Sequence, residues 1–367
     1  LKGQELIKNI CSKFFIYGDF MVAVPFGNGN INDTFQVTFD QGGARIHYIL
    51  QRINCNVFKN PPQVMENIDR VTQHVLRKIR HEPLGSKRRT LRFLRSFADN
   101  PYVQDDDGDF WRAYIFVENA RSYEVLANEE QAYNVAKAFG RFTCDLSDLP
   151  GERMHETIPD FHHTPKRIEA LEQAVKEDRA DRAKTVSAEI DFARKRRDET
   201  GILLELQKSG DIPERITHND TKANNILIDD STGEGICVID LDTVMPGLAL
   251  YDFGDMIRSG TNPAEEDDVN LENVYMNFSM FEAMLRGYWD SCGSTLTEAE
   301  KHYLPFSGKL ITLEIGTRFL TDYLNGDIYF KTKRPTHNLE RCRNQFKLVE
   351  SMEQQMDKMN ILTKKLK

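Results

Sequence analysis

The sequence has no long apolar run, no clustered cysteines and no excess of positive charge. Each absence removes a class of protein. No stretch reaches the roughly 20 apolar residues that a membrane-spanning helix needs, so no membrane is expected among the partners. The six cysteines (Cys11, Cys55, Cys144, Cys237, Cys292, Cys342) are scattered, with no C-x-x-C pair and no His/Cys cluster. That argues against a zinc site or a disulfide framework and fits reduced thiols in the cytoplasm. The formal net charge is −9, from 48 basic and 57 acidic residues. Such a balance excludes nucleic acid as the main partner but leaves room for a local basic pocket around a phosphate. There is no internal repeat and no low-complexity tract.

What remains is an ordinary globular balance, with 40% hydrophobic and 29% charged residues over 367 positions. A chain of this length can bury a core without disulfides or metals and suggests two domains or one two-lobed domain. The N-terminal "LKGQELIKNICSKFF" reads as an amphipathic helix with Leu6, Ile7, Ile10 and Phe14 on one side. Charge interrupts it too often for a signal peptide. Residues 20 to 53 alternate as three strands around Gly/Asn turns. "PPQVMENIDRVTQHVLRKI" places Val64, Ile68, Val71, Val75 and Ile79 on one helical face. "TLRFLRSF" and "FWRAYIFVE" predict two more strands. The "DDDGD" between them lacks the ligand spacing of a calcium loop and reads as a turn. Beyond residue 118 the patterns are helical, over 129–146, 166–199, 271–290, 297–325 and 338–365. One β-hairpin, "NILID" and "GICVIDLD", interrupts them. The expected division is 1–117, a β-sheet with a helix, and 118–367, mainly helical.

The polar stretch "ITHNDTKANNILID" (216–229) heads that hairpin. Asp220 and Asn225 have the spacing D-x-x-x-x-N, His218 stands two before the Asp, and Asp240 follows 15 residues after Asn225. Phosphoryl transfer from MgATP needs such a set. One Asp accepts the proton of the attacking hydroxyl, while an Asn and a second Asp hold Mg²⁺ on the phosphates. Asp220 is thus the candidate base, and Asn225 and Asp240 are the candidate metal ligands, with Asp242 a weaker one. The alternative is that Asp220 and Asn225 only shape a turn. "DFG" occurs at 252–254, but it opens a helical pattern instead of ending a hairpin strand. Asp252 is therefore expected to bond the backbone of the loop, with His218 another structural residue near the site.

Upstream, "FGNGNIND" lies between two strands. Gly27 and Gly29 could cover ATP phosphates with backbone N–H groups, although Gly and Asn also make ordinary hairpin turns. Arg52, ending the third strand, is the basic candidate for the phosphates, with Glu66 or Asp69 as its acidic partner. Phe116 and Val117, leaving the last strand, are candidates for an adenine pocket.

"YILQRIN", "ITHNDTKANNIL", "VIDLDTVMPG", "YDFGDMIRSG", "LPFSGKLITLEIGTRFLTDYLNGDIYF" and "HNLERCRNQFKLV" together resemble the N-acetylhexosamine 1-kinases. That group falls within the aminoglycoside phosphotransferase and choline kinase superfamily. The resemblance runs from about residue 24 to about 350. It implies an α+β, two-lobed, protein-kinase-like fold: a small antiparallel β N-lobe with a helix, and a larger helical C-lobe carrying the catalytic hairpin. It implies ATP and Mg²⁺ as cofactors and an N-acetylated hexosamine, phosphorylated at its anomeric hydroxyl, as acceptor. No obligate protein partner is evident. Arg318 and Tyr329 fall in stretches resembling the sugar-binding region. An ordinary ion pair and core packing are their respective alternatives. Asn30 stands where the hexosamine kinases carry a His in "GDGHIN", which leaves the preferred sugar open. Other acceptors (another sugar, an aminoglycoside, choline, homoserine) or a nucleotide-binding scaffold without activity are the competing readings.

Overall fold

The computed structural model describes residues 2–27, 31–83 and 88–366. Gly29 and Asn30 lie outside the described residues. The chain falls into two compact units. The first comprises residues 1–120, 148–159 and 236–245, and the second holds the rest.

In the first unit, α1 (Lys2–Cys11) precedes strands β1 (Asp19–Pro25), β2 (Asp33–Gln41) and β3 (Ala44–Arg52). Helix α2 (Pro61–Lys78), β4 (Val103–Gln104) and β5 (Phe110–Ile115) follow. The strands form one antiparallel sheet in the order β1-β2-β3-β5-β4. Ile7, Ile10, Cys11 and Phe14 pack on Val37, Phe39, Leu50, Trp111 and Ala113 of the sheet. Leu6, expected on the buried face, is 44% exposed, and Cys11 takes its place in the core. Asn60 caps α2 by accepting from the Gln63 N–H, with prolines in the first turn where no N–H is needed. All five residues of its predicted face are buried. The expected strand 90–97 is reduced to isolated bridges at Phe93 and Ser96. A tight turn ends the run: Ser96 N–H bonds Asn100 O, and Asp99 is left-handed at φ 62°. The "DDDGD" segment is the expected turn. Asp105 accepts from the N–H groups of Asp107 and Asp109 and from Trp111 Nε1.

The remaining elements are β6 (Ala120–Arg121), α3 (Glu129–Leu146), α4 (Thr164–Glu177), α5 (Ser187–Arg194), α6 (Ile202–Ser209), β7 (Arg215–Thr217), β8 (Ile226–Asp229), β9 (Gly235–Val238), β10 (Met245–Gly247), α7 (Ala249–Gly260), α8 (Phe278–Cys292), α9 (Glu298–Leu324) and α10 (His337–Lys365). The expected helix 166–199 is broken. Asp178 turns left-handed at φ 39°, and its carboxylate caps the N–H groups of Arg182 and Ala183. The expected helix 271–290 starts late, because Asn277 caps α8 through the N–H groups of Ser279 and Met280. Helix α9 is the axis of the second unit, packed against α4, α7 and α10. It is buried nearly all round and opens with a capping box of Thr297 and Glu300. Glycines permit these approaches. Gly308 lies against Ile257, Gly316 against Phe346, and Gly254 of α7 against the backbone of Ser307.

Candidate active site

In the second unit, the loop after β7 is tied down atom by atom. Asn219 is left-handed at φ 65°, a conformation that non-glycine residues hold only when their surroundings fix it. Its N–H donates to Asp252 Oδ1 at 2.7 Å, and the neighbouring His218 N–H donates to Asp252 Oδ2 at 2.9 Å. Its carbonyl accepts from His162 Nε2 at 2.9 Å. Its side chain exchanges hydrogen bonds with Thr217. Gly247 leaves no room for a Cβ against Thr217 and Asn219. The His218 ring packs edge-on to Phe139 and Phe142, and its Nδ1 accepts from the Asp220 N–H at 3.2 Å. Burial pushes the Asp252 carboxyl up to about 6, even though the His218 ring and the two N–H donors oppose it.

Asp220 emerges from this scaffold. Lys222 Nζ lies 2.9 Å from its Oδ1, and Asn225 Nδ2 donates to its carbonyl at 2.7 Å and to Oδ2 at 3.3 Å. Burial works against the charge of the Asp220 carboxylate, but the Lys222 ammonium outweighs it and holds the group below its usual range. A carboxylate kept ionised in this way can accept a proton at neutral pH. Nothing in the sequence pattern singled out Lys222. Its only signal was a cation two positions after the candidate base.

The first unit holds the carboxylates after β9. Asp240 is exposed and left-handed at φ 59°, opening the one-turn 3₁₀ helix Leu241–Thr243. Asp242, the weaker metal candidate, has both oxygens engaged by other side chains. Arg112 of β5 grips both of its oxygens, and Asn32 Nδ2 donates to Oδ2 at 2.6 Å. Arg112 Nε is completed by Gln51 Oε1 at 2.9 Å. Asn67 of α2 bonds the carbonyls of Val244 and His155. This network, spanning up to 177 positions, was invisible in the sequence.

Arg52 does not pair with Glu66 or Asp69. It bonds Asp33 and Asp109 instead. Asp33 is its cross-strand neighbour in the β2–β3 register, and such facing pairs meet without further adjustment. Glu66 bonds His155, and Asp69 bonds Arg95. Gly27 has φ 77°, so a side chain there would be strained. Phe116 and Val117 are half-buried, and the Phe116 ring packs edge-on against Phe26 at 5.5 Å.

On α9, Arg318 makes no ion pair among the described residues, although Glu314 one turn earlier feels its charge, and its guanidinium sits 5.5–5.9 Å from the rings of Phe161, Tyr329 and Phe330. Tyr329 is 61% exposed, so core packing does not explain it. Asp322 fixes its backbone by accepting from the N–H groups of Ile328, Tyr329 and Phe330. Arg167 bonds the carbonyls of Asp160 and Phe161 while its Nε has no partner. Burial first, then the nearby Arg318 charge, lowers its pKa.

Taken singly, each candidate ligand is an oxygen donor of the kind a hard divalent cation takes. Asn225 spends its Nδ2 on Asp220, which leaves the amide oxygen as an acceptor, and Asp240 supplies an exposed carboxylate. Magnesium takes few protein oxygens of this type. No cluster of three His, Cys, Asp or Glu able to hold a metal occurs among the described residues. Nor is any helix there long and apolar enough to cross a membrane.

A model of the phosphotransferase enzyme family matches residues 22–275. Solved structures share the fold at low identity. An aminoglycoside phosphotransferase from Alicyclobacillus acidocaldarius is 13% identical, covering 98% of this chain and 96% of that one, with a TM-score of 0.63. A choline kinase from Cryptosporidium parvum is 14% identical, covering 96% of each, with a TM-score of 0.56. A spectinomycin phosphotransferase in complex with ADP and spectinomycin is 12% identical, covering 95% and 98%, with a TM-score of 0.55. The fold is therefore kinase-like, with an antiparallel N-terminal sheet and a mainly helical C-terminal region.

Proposed function

Because this chain belongs to the phosphotransferase enzyme family, we propose that it transfers the γ-phosphoryl group of MgATP to the anomeric hydroxyl of an N-acetylhexosamine. The observation that carries this reading is the Asp220 carboxylate, held ionised by Lys222 on a loop fixed by Asp252. Asp220 takes the proton of the sugar hydroxyl as its oxygen bonds to the γ-phosphorus. The bond from that phosphorus to the β,γ-bridging oxygen breaks, and its electron pair leaves with ADP. Asn225 and Asp240 would hold Mg²⁺, which would supply charge neutralisation on the phosphates. Gly27, Gly29 and Arg52, whose guanidinium is also engaged by Asp33 and Asp109, are assigned to the phosphates, and Phe116 and Val117 to the adenine.

Arg318 and Tyr329 are assigned to the acceptor, and Asn30, outside the described residues, is assigned with them from the sequence alone. Arg suits a sugar because its planar fork donates to two hydroxyls at once. The local charge also supports a neutral acceptor. Two guanidinium groups, Arg167 and Arg318, sit together here, and they would repel choline or a polycationic aminoglycoside.

The test is ADP release with MgATP over N-acetylglucosamine, N-acetylgalactosamine, glucose, galactose, choline and kanamycin, with phosphorus NMR of the product. Turnover of the N-acetylated sugars to 1-phosphates is expected. Turnover confined to choline or kanamycin would remove the sugar assignment and keep the phosphotransferase.

A further inference from the structure

Two histidines hold the peptide unit that enters Asp220, one at each end. The carbonyl of that unit belongs to Asn219 and receives His162 Nε2 at 2.9 Å. Its N–H belongs to Asp220 and meets His218 Nδ1 at 3.2 Å. A carbonyl oxygen can only accept, so His162 Nε2 carries a proton. A backbone N–H can only donate, so His218 Nδ1 carries none. The other nitrogen of His162, Nδ1, lies 2.9 Å from Glu314 Oε1. Glu314 is fully buried on α9, and its second oxygen accepts from Thr164 Oγ1 at 2.7 Å. With Nε2 committed to the carbonyl and the carboxylate bound by donors on both oxygens, Nδ1 is the donor to Glu314.

We propose that His162 is a positioning residue that works as an imidazolium. Paired with Glu314, it clamps the Asn219–Asp220 peptide and so aims the Asp220 carboxylate. Removing its proton at alkaline pH releases this clamp and limits turnover from that side. The proposal rests on Asp220 being the base of the phosphotransfer.

The surroundings agree. Burial alone would pull the His162 pKa down, but Glu314 and the Asn219 carbonyl outweigh it and raise it. From α7, Asp255 adds favourable negative charge, Asp252 feels the same imidazolium, and Tyr251 lies with its ring 5.1 Å away. Phe161 closes the apolar side at 4.8 Å. An unpaired buried imidazole would be neutral. Here the pair is closed by hydrogen bonds on every side that the ring offers.

Two measurements decide it. Side-chain nitrogen NMR of the intact protein, assigned by the signals lost in His162→Gln, should show both His162 ring nitrogens protonated at pH 7.5. An unprotonated Nδ1 at that pH overturns the proposal. In the kinase assay, Glu314→Gln should move the alkaline limb of kcat down by about one pH unit or more, as loss of a buried counter-charge does, with KM for ATP unchanged. A limb that stays in place while only thermal stability falls would show mere packing and also overturn it. The NMR result does not depend on any acceptor. Absence of kinase activity would sink the functional reading and leave the imidazolium clamp to be judged by the nitrogen signals alone.

Discussion

The Arg112–Asp242 pair offers the sharpest test of how the first unit holds the segment after β9. Their side chains are 2% and 4% exposed, and the guanidinium grips both carboxylate oxygens. Asp242→Ala would leave a charged guanidinium in the core with only Gln51 Oε1 and the weak Met65 Sδ as side-chain acceptors among the described residues. Breaking a buried pair from one side costs about 3–5 kcal/mol. The double change Arg112→Met with Asp242→Leu removes both charges. It leaves Gln51 and Asn32 short of partners, at about 1 kcal/mol each, and regains apolar packing. The expected net change is therefore within about 2 kcal/mol of zero. The chain has two tryptophans, Trp111 beside Arg112 on β5 and Trp289 on α8. In a Trp289→Phe background, urea unfolding followed by Trp111 fluorescence reports the first unit alone. A single-variant loss below about 1 kcal/mol, or a double variant as unstable as Asp242→Ala, would refute the account of a desolvated, mutually dependent pair.

Four further outcomes follow from the geometry. Asp220→Asn should lower kcat about 10²–10⁴-fold with little change in the KM for ATP, measured by ADP release; an unchanged rate removes Asp220 as the base. Asp240→Asn should raise the Mg²⁺ concentration needed for half-maximal turnover by at least about tenfold, since a carboxylate is exchanged for a weaker neutral ligand; an unaltered Mg²⁺ titration contradicts the assignment. Gly254→Ala should destabilise the second unit by about 1–3 kcal/mol, because the new Cβ would stand 2.8 Å from Ile311 and closer still to the Ser307 backbone; helix propensity alone predicts a gain of about 1 kcal/mol, so the sign of the Tm shift decides. The folded pKa of Asp252 is raised to about 6 from an ordinary 3.8, so its contribution to stability is full below about 4 and is lost as pH rises to about 6; in Asp252→Asn, urea midpoints from pH 4 to pH 7 should lack that fall.

Local signals were legible, and long-range ones were not. The bounds of α3 and α9 follow from Asn128 and the Thr297/Glu300 box, which sit at the helix starts as capping chemistry demands. Asp220, Asn225 and Asp240 could be nominated because their spacing within one strand-loop-strand segment carries its own logic, and Asp252 because its "DFG" opens a helical pattern. The break at Asp178 was missed because the charged run 176–182 reads as a solvated helical face, while a single left-handed residue stops the helix. Arg52 was assigned acidic partners on the next helix, although strand register put Asp33 directly opposite. Arg112 and Asp242 are 130 positions apart, and His162 and Glu314 are 152 apart. No periodicity connects such pairs, and only the packed chain brings them together.

Helix α9 carries Glu314, which secures His162, and Arg318, one turn later among the aromatic rings. Four residues advance a helix by about 6 Å and return nearly to the same face. Inserting or deleting one residue between them would rotate one group about 100° away from the other. The two tasks are thus locked in phase by the helix itself. Point substitutions at 318 or 329 would alter the proposed acceptor contacts while 314 keeps its station, but a change of length in this stretch would disturb both together. A lineage built on this helix can diversify by exchanging side chains and has no viable route through insertions between these two positions.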